Sequence, residues 1–223
     1  MAKALAMGCY KVRRDIGRIR WGYFQRSKDI GVVVLVDVED GRDLVPVNLW
    51  NAHKDDVVTI AKKLNEMVGR TKRNQNKEHT EVTKIFNFVP TYFLGLLTSV
   101  LTYLSQQCGI SISAFKLKGD AYGHILLSNI GTLGMERCLP PIVPALHPLM
   151  CTTIGKIREA PWAVDGQVVV REVMSFSLTG DHRYADGASV AKMFSVFVGM
   201  IADPEGFNLD SVKDLVPLEE IEE

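Results

Sequence analysis

Charge of one dominant sign is the first thing this sequence lacks. Its 26 lysines and arginines balance 26 aspartates and glutamates over 223 residues. That removes the excess basic charge of a typical nucleic-acid binder and leaves little self-repulsion to oppose assembly. Cysteine is scarce: Cys9, Cys108, Cys138 and Cys151 are the four, and no two are spaced as a zinc knuckle or a redox pair. Buried thiols in a reducing compartment are the expectation. The five histidines have no metal-ligand spacing either, so no metal site is expected, and His53, His79, His124 and His147 read as ordinary surface or packed residues. There is no secretory signal, internal repeat, low-complexity tract or Gly/Ser/Pro linker. The chain, 1–223, reads as a single domain with a full core, since 47% of its residues are hydrophobic.

Charge is also missing locally. From residue 85 to residue 115 there is no charged residue at all. Val89, Phe93, Leu96, Leu97, Val100, Leu101 and Leu104 share one helical face, and Thr91, Gly95, Thr98, Thr102, Ser105 and Gln106 share the other. A membrane span needs about 20 mostly apolar residues, and the polar face and Pro90 oppose it. An interfacial membrane helix usually carries lysine or arginine on its polar face, and none is here. A helix buried in the fold or between subunits is the expectation, and no membrane span is predicted.

What is present reads as alternating helices and strands. Residues 10 to 27 carry Val12, Ile16 and Ile19 among arginines, an amphipathic helix pattern. Strands are predicted at 32–38 and 44–49, then an amphipathic helix at 57–68. Residues 70–84 read as a charged loop, 111–117 as a short strand, 119–123 as a turn and 123–130 as a strand that includes Ser128. Pro140, Pro141, Pro144 and Pro148 mark an extended crossing. A strand at 151–157, a turn at Asp165-Gly166 and a strand at 168–178 follow. Val190, Met193, Phe194, Phe197, Val198 and Ile201 set a final helix closed by Asp203-Pro204, and 215–223 is an acidic tail.

The junction of that last strand and helix, Gly180-Asp181-His182-Arg183-Tyr184-Ala185-Asp186-Gly187, is where chemistry is written. A histidine at a strand end, followed by an aspartate at the turn into a helix, suits a general base near neutral pH. On the spacing alone, a loop histidine with a capping aspartate is the more ordinary reading.

Asp181-His182-Arg183 with Asp186-Gly187-Ala188 resembles the D-H-R-x-x-D-G-A signature of the dihydrolipoamide acyltransferases, the acyl-transfer subunits of the 2-oxoacid dehydrogenase complexes. Chloramphenicol acetyltransferase shares their fold. Ile125-Leu126-Leu127-Ser128-Asn129-Ile130-Gly131 is similar to the family's T-x-S-N-x-G strand and turn. Pro161-Trp162 with Val164-Asp165-Gly166, and Leu44-Val45-Pro46-Val47 with Ile60-Ala61-Lys62-Lys63-Leu64, resemble further family segments.

The resemblance implies an α/β two-layer sandwich, a mixed sheet packed with helices. It implies acyl transfer between dihydrolipoamide and coenzyme A, with His182 as the general base and Ser128 as the oxyanion donor. Asp186 organises the loop and pairs with an arginine, for which Arg13 is the positional match with Arg14 beside it; Gly187 is a supporting turn residue. A strand hydroxyl bonded to nearby backbone is the ordinary alternative for Ser128, and a plain surface arginine is the alternative for Arg13.

The partners implied are two further copies in a homotrimer, possibly a larger cage, and a lipoyl-bearing protein supplying its group in trans, because the family's lipoyl and peripheral-subunit-binding domains are not found in 1–223. A cytoplasmic setting is expected, or the mitochondrial matrix if the source is eukaryotic. Two other readings stay open: a coenzyme-A-dependent acyltransferase acting on a small hydroxyl or amine acceptor, and a non-catalytic structural subunit of the same fold.

Overall fold

The computed structural model describes residues 1–37, 44–70, 90–110, 123–142 and 148–209. The expectations for 71–84, 111–117, 119–122, Pro144 and the acidic tail lie outside them.

Alternating β-branched and aliphatic residues build a five-stranded mixed sheet. Its strands are β3 (Gly31–Asp37), β4 (Leu44–Trp50), β5 (Ile125–Asn129), β6 (Met150–Val164) and β7 (Gln167–Gly180), in the order β4-β3-β5-β6-β7. The β3–β5 and β5–β6 pairs are parallel, and the β3–β4 and β6–β7 pairs are antiparallel. A two-residue turn at Asp165-Gly166, with φ of 50° and 78°, closes the β6–β7 hairpin. Two positive φ values in succession match the right-handed twist of the strands.

One face of the sheet is covered by helices. Val32, Leu49, Ile125, Leu127, Met150 and Ile154 form the core there with Ala4, Leu5 and Cys9 of α1 (Ala2–Lys11) and Met193 and Phe197 of α4 (Gly187–Ala202). Phe176 of β7 stacks on Phe197 at 4.2 Å between ring centroids. Helices α1 and α4 touch closely at Gly8, where a Cβ would sit 2.8 Å from the backbone oxygen of Met193. The helix at 57–70, α2, falls where the apolar period placed it.

The N-terminal expectation is corrected. Residues 10–27 are not one helix. The helix lies earlier, at Ala2–Lys11, and a second, two-stranded sheet follows, β1 (Gly17–Arg20) and β2 (Tyr23–Arg26). The reason is Trp21-Gly22, whose φ values of 56° and 81° make the same kind of hairpin turn. The short apolar N-terminus, Ala4-Leu5-Ala6, is the buried face of α1.

Helix α3 (Thr91–Gln106) exists as the period predicts, but it is not buried within this chain. Leu101 and Ser105 are covered, whereas Tyr92 is 96% and Leu96 64% exposed. Among the described residues its C-terminal end is anchored by Tyr103 edge-on to Trp21 and by the Gln107 side chain accepting from Trp21 N–H. Among the described residues no helix is long and apolar enough to cross a membrane.

Candidate active site

Each strand of the sheet alternates its side chains between the two faces, so register decides which residues can meet. Ile125 and Leu127 point to the helices, and so Leu126 and Ser128 point to the opposite face. Ser128 is level with Leu35 of β3 and Thr153 of β6. It lines a cavity of about 400 Å³ on that face. Asn129 ends the strand, its side chain accepting from Gly131 N–H at the start of a 3₁₀ turn, Ile130–Leu133.

Strand hydroxyls here have two fates. Thr152 donates to the Leu126 carbonyl at 2.8 Å and Thr153 to the Cys138 carbonyl at 2.7 Å. Ser128 makes no such bond to a described residue, so the ordinary alternative of a backbone-satisfied serine does not hold among them.

His182 sits in the turn between β7 and α4. That turn is built by Asp181, whose carboxylate accepts from Arg183 N–H at 3.0 Å and from Arg183 Nη2 at 2.6 Å, while the Asp181 carbonyl accepts from Tyr184 N–H. Backbone anchorage comes from Asp181 N–H donating to the Leu149 carbonyl. The ion pair holds the Arg183 guanidinium even further into its charged range. Tyr184 is buried, edge-on to Phe24 of β2, and burial raises its phenol above the ordinary value. These contacts fix the turn and leave the His182 ring exposed.

Asp186 caps α4: its carboxylate accepts from Ser189 N–H at 2.8 Å, and that bond is the main cause holding its carboxyl below the usual range. The nearby charge of His182 is the smallest of the causes. Together His182, Asp186 and Gly187 line a second cavity of about 490 Å³ with Leu178, Val190 and Phe194, on the helix-covered side of the sheet.

The structure therefore brings His182, Asp186 and Gly187 together and sets Ser128 apart. Gly180 is level with Met150 and Ile125, and Ser128 lies three residues farther along β5 and two strands across. That is about 10 Å along the strands and about 10 Å across them, on the other face. Arg13 lies elsewhere again, its guanidinium 5.1 Å from the Tyr10 ring centroid, with Tyr10 stacked on His53 at 4.9 Å. In the single chain Asp186 is engaged by the helix cap rather than by Arg13.

Asp181, to which the sequence assigned no role, holds this turn together with the Asp186 cap. The signal was present as an aspartate two residues before an arginine in a turn, a pattern that lets a short carboxylate bond the backbone two residues on. Sequence reasoning also missed that Pro140, Pro141 and Pro148 wall the Ser128 cavity. Among the described residues no group of three His, Cys, Asp or Glu side chains is placed to hold a metal ion.

Residues 113–209, which contain both Ser128 and His182, match the family model of the 2-oxoacid dehydrogenases acyltransferase (catalytic domain). The acetyltransferase component of the pyruvate dehydrogenase complex of Mycoplasma pneumoniae is 26% identical over 167 residues, 74% of this chain and 31% of that protein. The succinyltransferase component of the 2-oxoglutarate dehydrogenase complex of Pseudomonas aeruginosa is 32% identical over 88 residues, 40% of this chain and 21% of that protein. The chain thus spans a third or less of the length of these two relatives.

In fold, the chain is similar to the dihydrolipoamide acetyltransferase of Azotobacter vinelandii, solved in work on the role of a serine, a histidine and an asparagine in its catalytic mechanism. The TM-score is 0.61 at 16% identity, covering 91% of this chain and 67% of that one. The mixed sheet packed with helices is the fold class that the sequence predicted. The resemblance carried by Asp181-His182-Arg183 and Ser128-Asn129 is thus a match to a family, the 2-oxoacid dehydrogenases acyltransferase (catalytic domain), over residues 113–209.

Proposed function

We propose that this chain transfers acyl groups between dihydrolipoamide and coenzyme A, and that its site is completed between neighbouring copies. The observation that carries the reading is that one stretch, residues 113–209, matches the acyltransferase catalytic-domain model and contains both Ser128 and His182. The match supports the reaction class. The opposite faces of the two residues support sharing, because neither side chain can cross a sheet about two strands and three residues wide.

In this reading His182 takes the proton from the attacking thiol. The thiolate adds to the thioester carbonyl, forming the new carbon–sulfur bond. Ser128, on its neighbour's sheet, donates its hydroxyl to the oxygen as that oxygen gains charge. The old carbon–sulfur bond then breaks, and His182 returns its proton to the departing sulfur. Asp186 and Gly187 act by setting the start of α4 and hence the turn that holds His182. Arg13 comes into the site only if assembly turns it from Tyr10 toward Asp186.

The partners proposed are two further copies of the chain, arranged head to tail around a threefold axis, and a lipoyl-bearing protein. A larger cage ranks below the bare trimer. The edge of β7, which no described strand pairs, and the exposed side of α3 offer surface for such contacts. A reducing cytoplasmic setting suits the four cysteines, all free thiols.

The test is transfer of acetyl from acetyl-coenzyme A to dihydrolipoamide, followed by chromatographic separation of S-acetyldihydrolipoamide and free coenzyme A from the reactants. The parent should turn over and His182→Ala should not. Equal rates for the two, or transfer only to hydroxyl or amine acceptors, would remove the reading.

A further inference from the structure

The two relatives described above move different acyl groups, acetyl and succinyl, so likeness to them does not choose one. The cavity beside Ser128 does. Its walls are Leu35 and Leu126 with Leu44, Pro46, Pro140 and Pro148, and no charged side chain lines it among the described residues.

The polar groups there are few and mostly committed. Thr153 gives its hydroxyl proton to the Cys138 carbonyl. The thiols of Cys138 and Cys151 are weak donors, and burial pushes the Cys151 thiol up, away from a charged form. Ser128 is the one lining hydroxyl that makes no hydrogen bond to a described residue.

Resting on the acyl-transfer reading, we infer that this cavity is the acyl-chain pocket and that it takes an uncharged aliphatic acyl group larger than acetyl, excluding dicarboxylic acyl groups such as succinyl. Three physical points carry this. First, a thioester oxygen bonded to Ser128 leaves its acyl chain against Leu126 and Leu35, which share the Ser128 face. Second, the volume is about 400 Å³, against roughly 30 Å³ for one water in the liquid. An acetyl methyl would leave most of that apolar space unfilled, and each further carbon gains the transfer free energy of a buried methylene. Third, among the described residues that line the cavity, a terminal carboxylate would meet no cation and no free hydroxyl besides Ser128. A buried charge without a partner is strongly disfavoured.

The experiment measures kcat/KM for acetyl-, propionyl-, butyryl-, 3-methylbutyryl- and succinyl-coenzyme A with dihydrolipoamide as acceptor. From acetyl to 3-methylbutyryl the value should climb about fourfold per added carbon while room remains. Butyryl and succinyl have the same number of carbons, so their ratio isolates the charge; it should favour butyryl by at least about 100-fold. Leu126→Phe fills the cavity and should cut the ratio of 3-methylbutyryl to acetyl transfer at least about tenfold. That ratio is internal to each sample and does not depend on how much of the variant folds. Succinyl transfer within threefold of butyryl, or a ratio untouched by Leu126→Phe, would overturn the assignment and leave acyl transfer standing. Transfer of no acyl group above the His182→Ala level would overturn acyl transfer itself, and the pocket with it.

Discussion

The Asp181 carboxylate holds the turn that presents His182, and the ring itself is left exposed. In the proposed reading, a base so held and open on one side serves a substrate that arrives from outside the chain. His182→Ala should lower turnover by about 10²–10⁴-fold, and Ser128→Ala by about 10²–10³-fold with little change in KM, since the hydroxyl acts as charge develops rather than in binding. Steady-state kinetics on both variants checks this.

Asp186 makes a different, structural prediction. Its carboxyl is held below the usual range by the Ser189 N–H bond at the positive end of α4. A lowered folded-state pKa means that its stabilisation is present above the unfolded value and is lost as pH falls through the folded one, below about pH 4. Asp186→Ala should therefore lower Tm at pH 7, and the gap to the parent should be smaller at pH 3 than at pH 7. Asp186→Asn, which still caps, should stay close to the parent at both. A gap of equal size at pH 3 would mean that Asp186 acts by some other contact.

At the scale of elements, the contact of α1 with α4 turns on Gly8. Alanine is the better helix residue by about 1 kcal/mol, but its Cβ would press on the Met193 backbone oxygen at 2.8 Å, an overlap that side-chain rotation cannot relieve. Overpacking of that kind costs about 1–3 kcal/mol. Gly8→Ala should thus be a net loss in urea unfolding, and a net gain would show that the two helices are not in close contact.

The elements also show what the sequence could and could not disclose. The period of Val190, Met193, Phe197 and Ile201 and the Asp-Gly turn at 165–166 are local signals, and the structure follows them. The hairpin at 17–26 was hidden because Arg18, Ile19 and Arg20 fit a helix as well as a strand, and the deciding residue, Trp21 at φ 56°, is not one that ordinarily marks such a turn. For the site, both Ser128 and His182 were visible as motifs. Their placement on opposite faces was not, because face depends on strand register, and register is set by pairing partners far away in the chain. The role of Asp181 was likewise hidden by Asp186, which carries the same side chain at the next turn.

At the scale of the molecule, the candidate residues divide between two cavities. One cavity holds His182 at the end of β7, the edge strand, and the other holds Ser128 near the middle of the sheet on its far side. Exposed Phe93, Leu96 and Val100 on α3 and the edge of β7, which no described strand pairs, are surfaces open to a partner. Light scattering at micromolar concentration should give the mass of three chains, and a stable monomer would count against shared sites.

The most direct test joins the two residues. In a head-to-tail ring every interface has one histidine side and one serine side. Purified His182→Ala and Ser128→Ala chains, each nearly inactive, are mixed in equal amounts, unfolded and refolded together. An interface is whole when a Ser128→Ala chain supplies His182 and a His182→Ala chain supplies Ser128, so about a quarter of the sites should be intact in a randomly assembled ring. The account predicts recovery of acyl transfer to about that fraction of the parent rate. Activity no higher than the mean of the two variants, in oligomers shown to have exchanged chains, would contradict it.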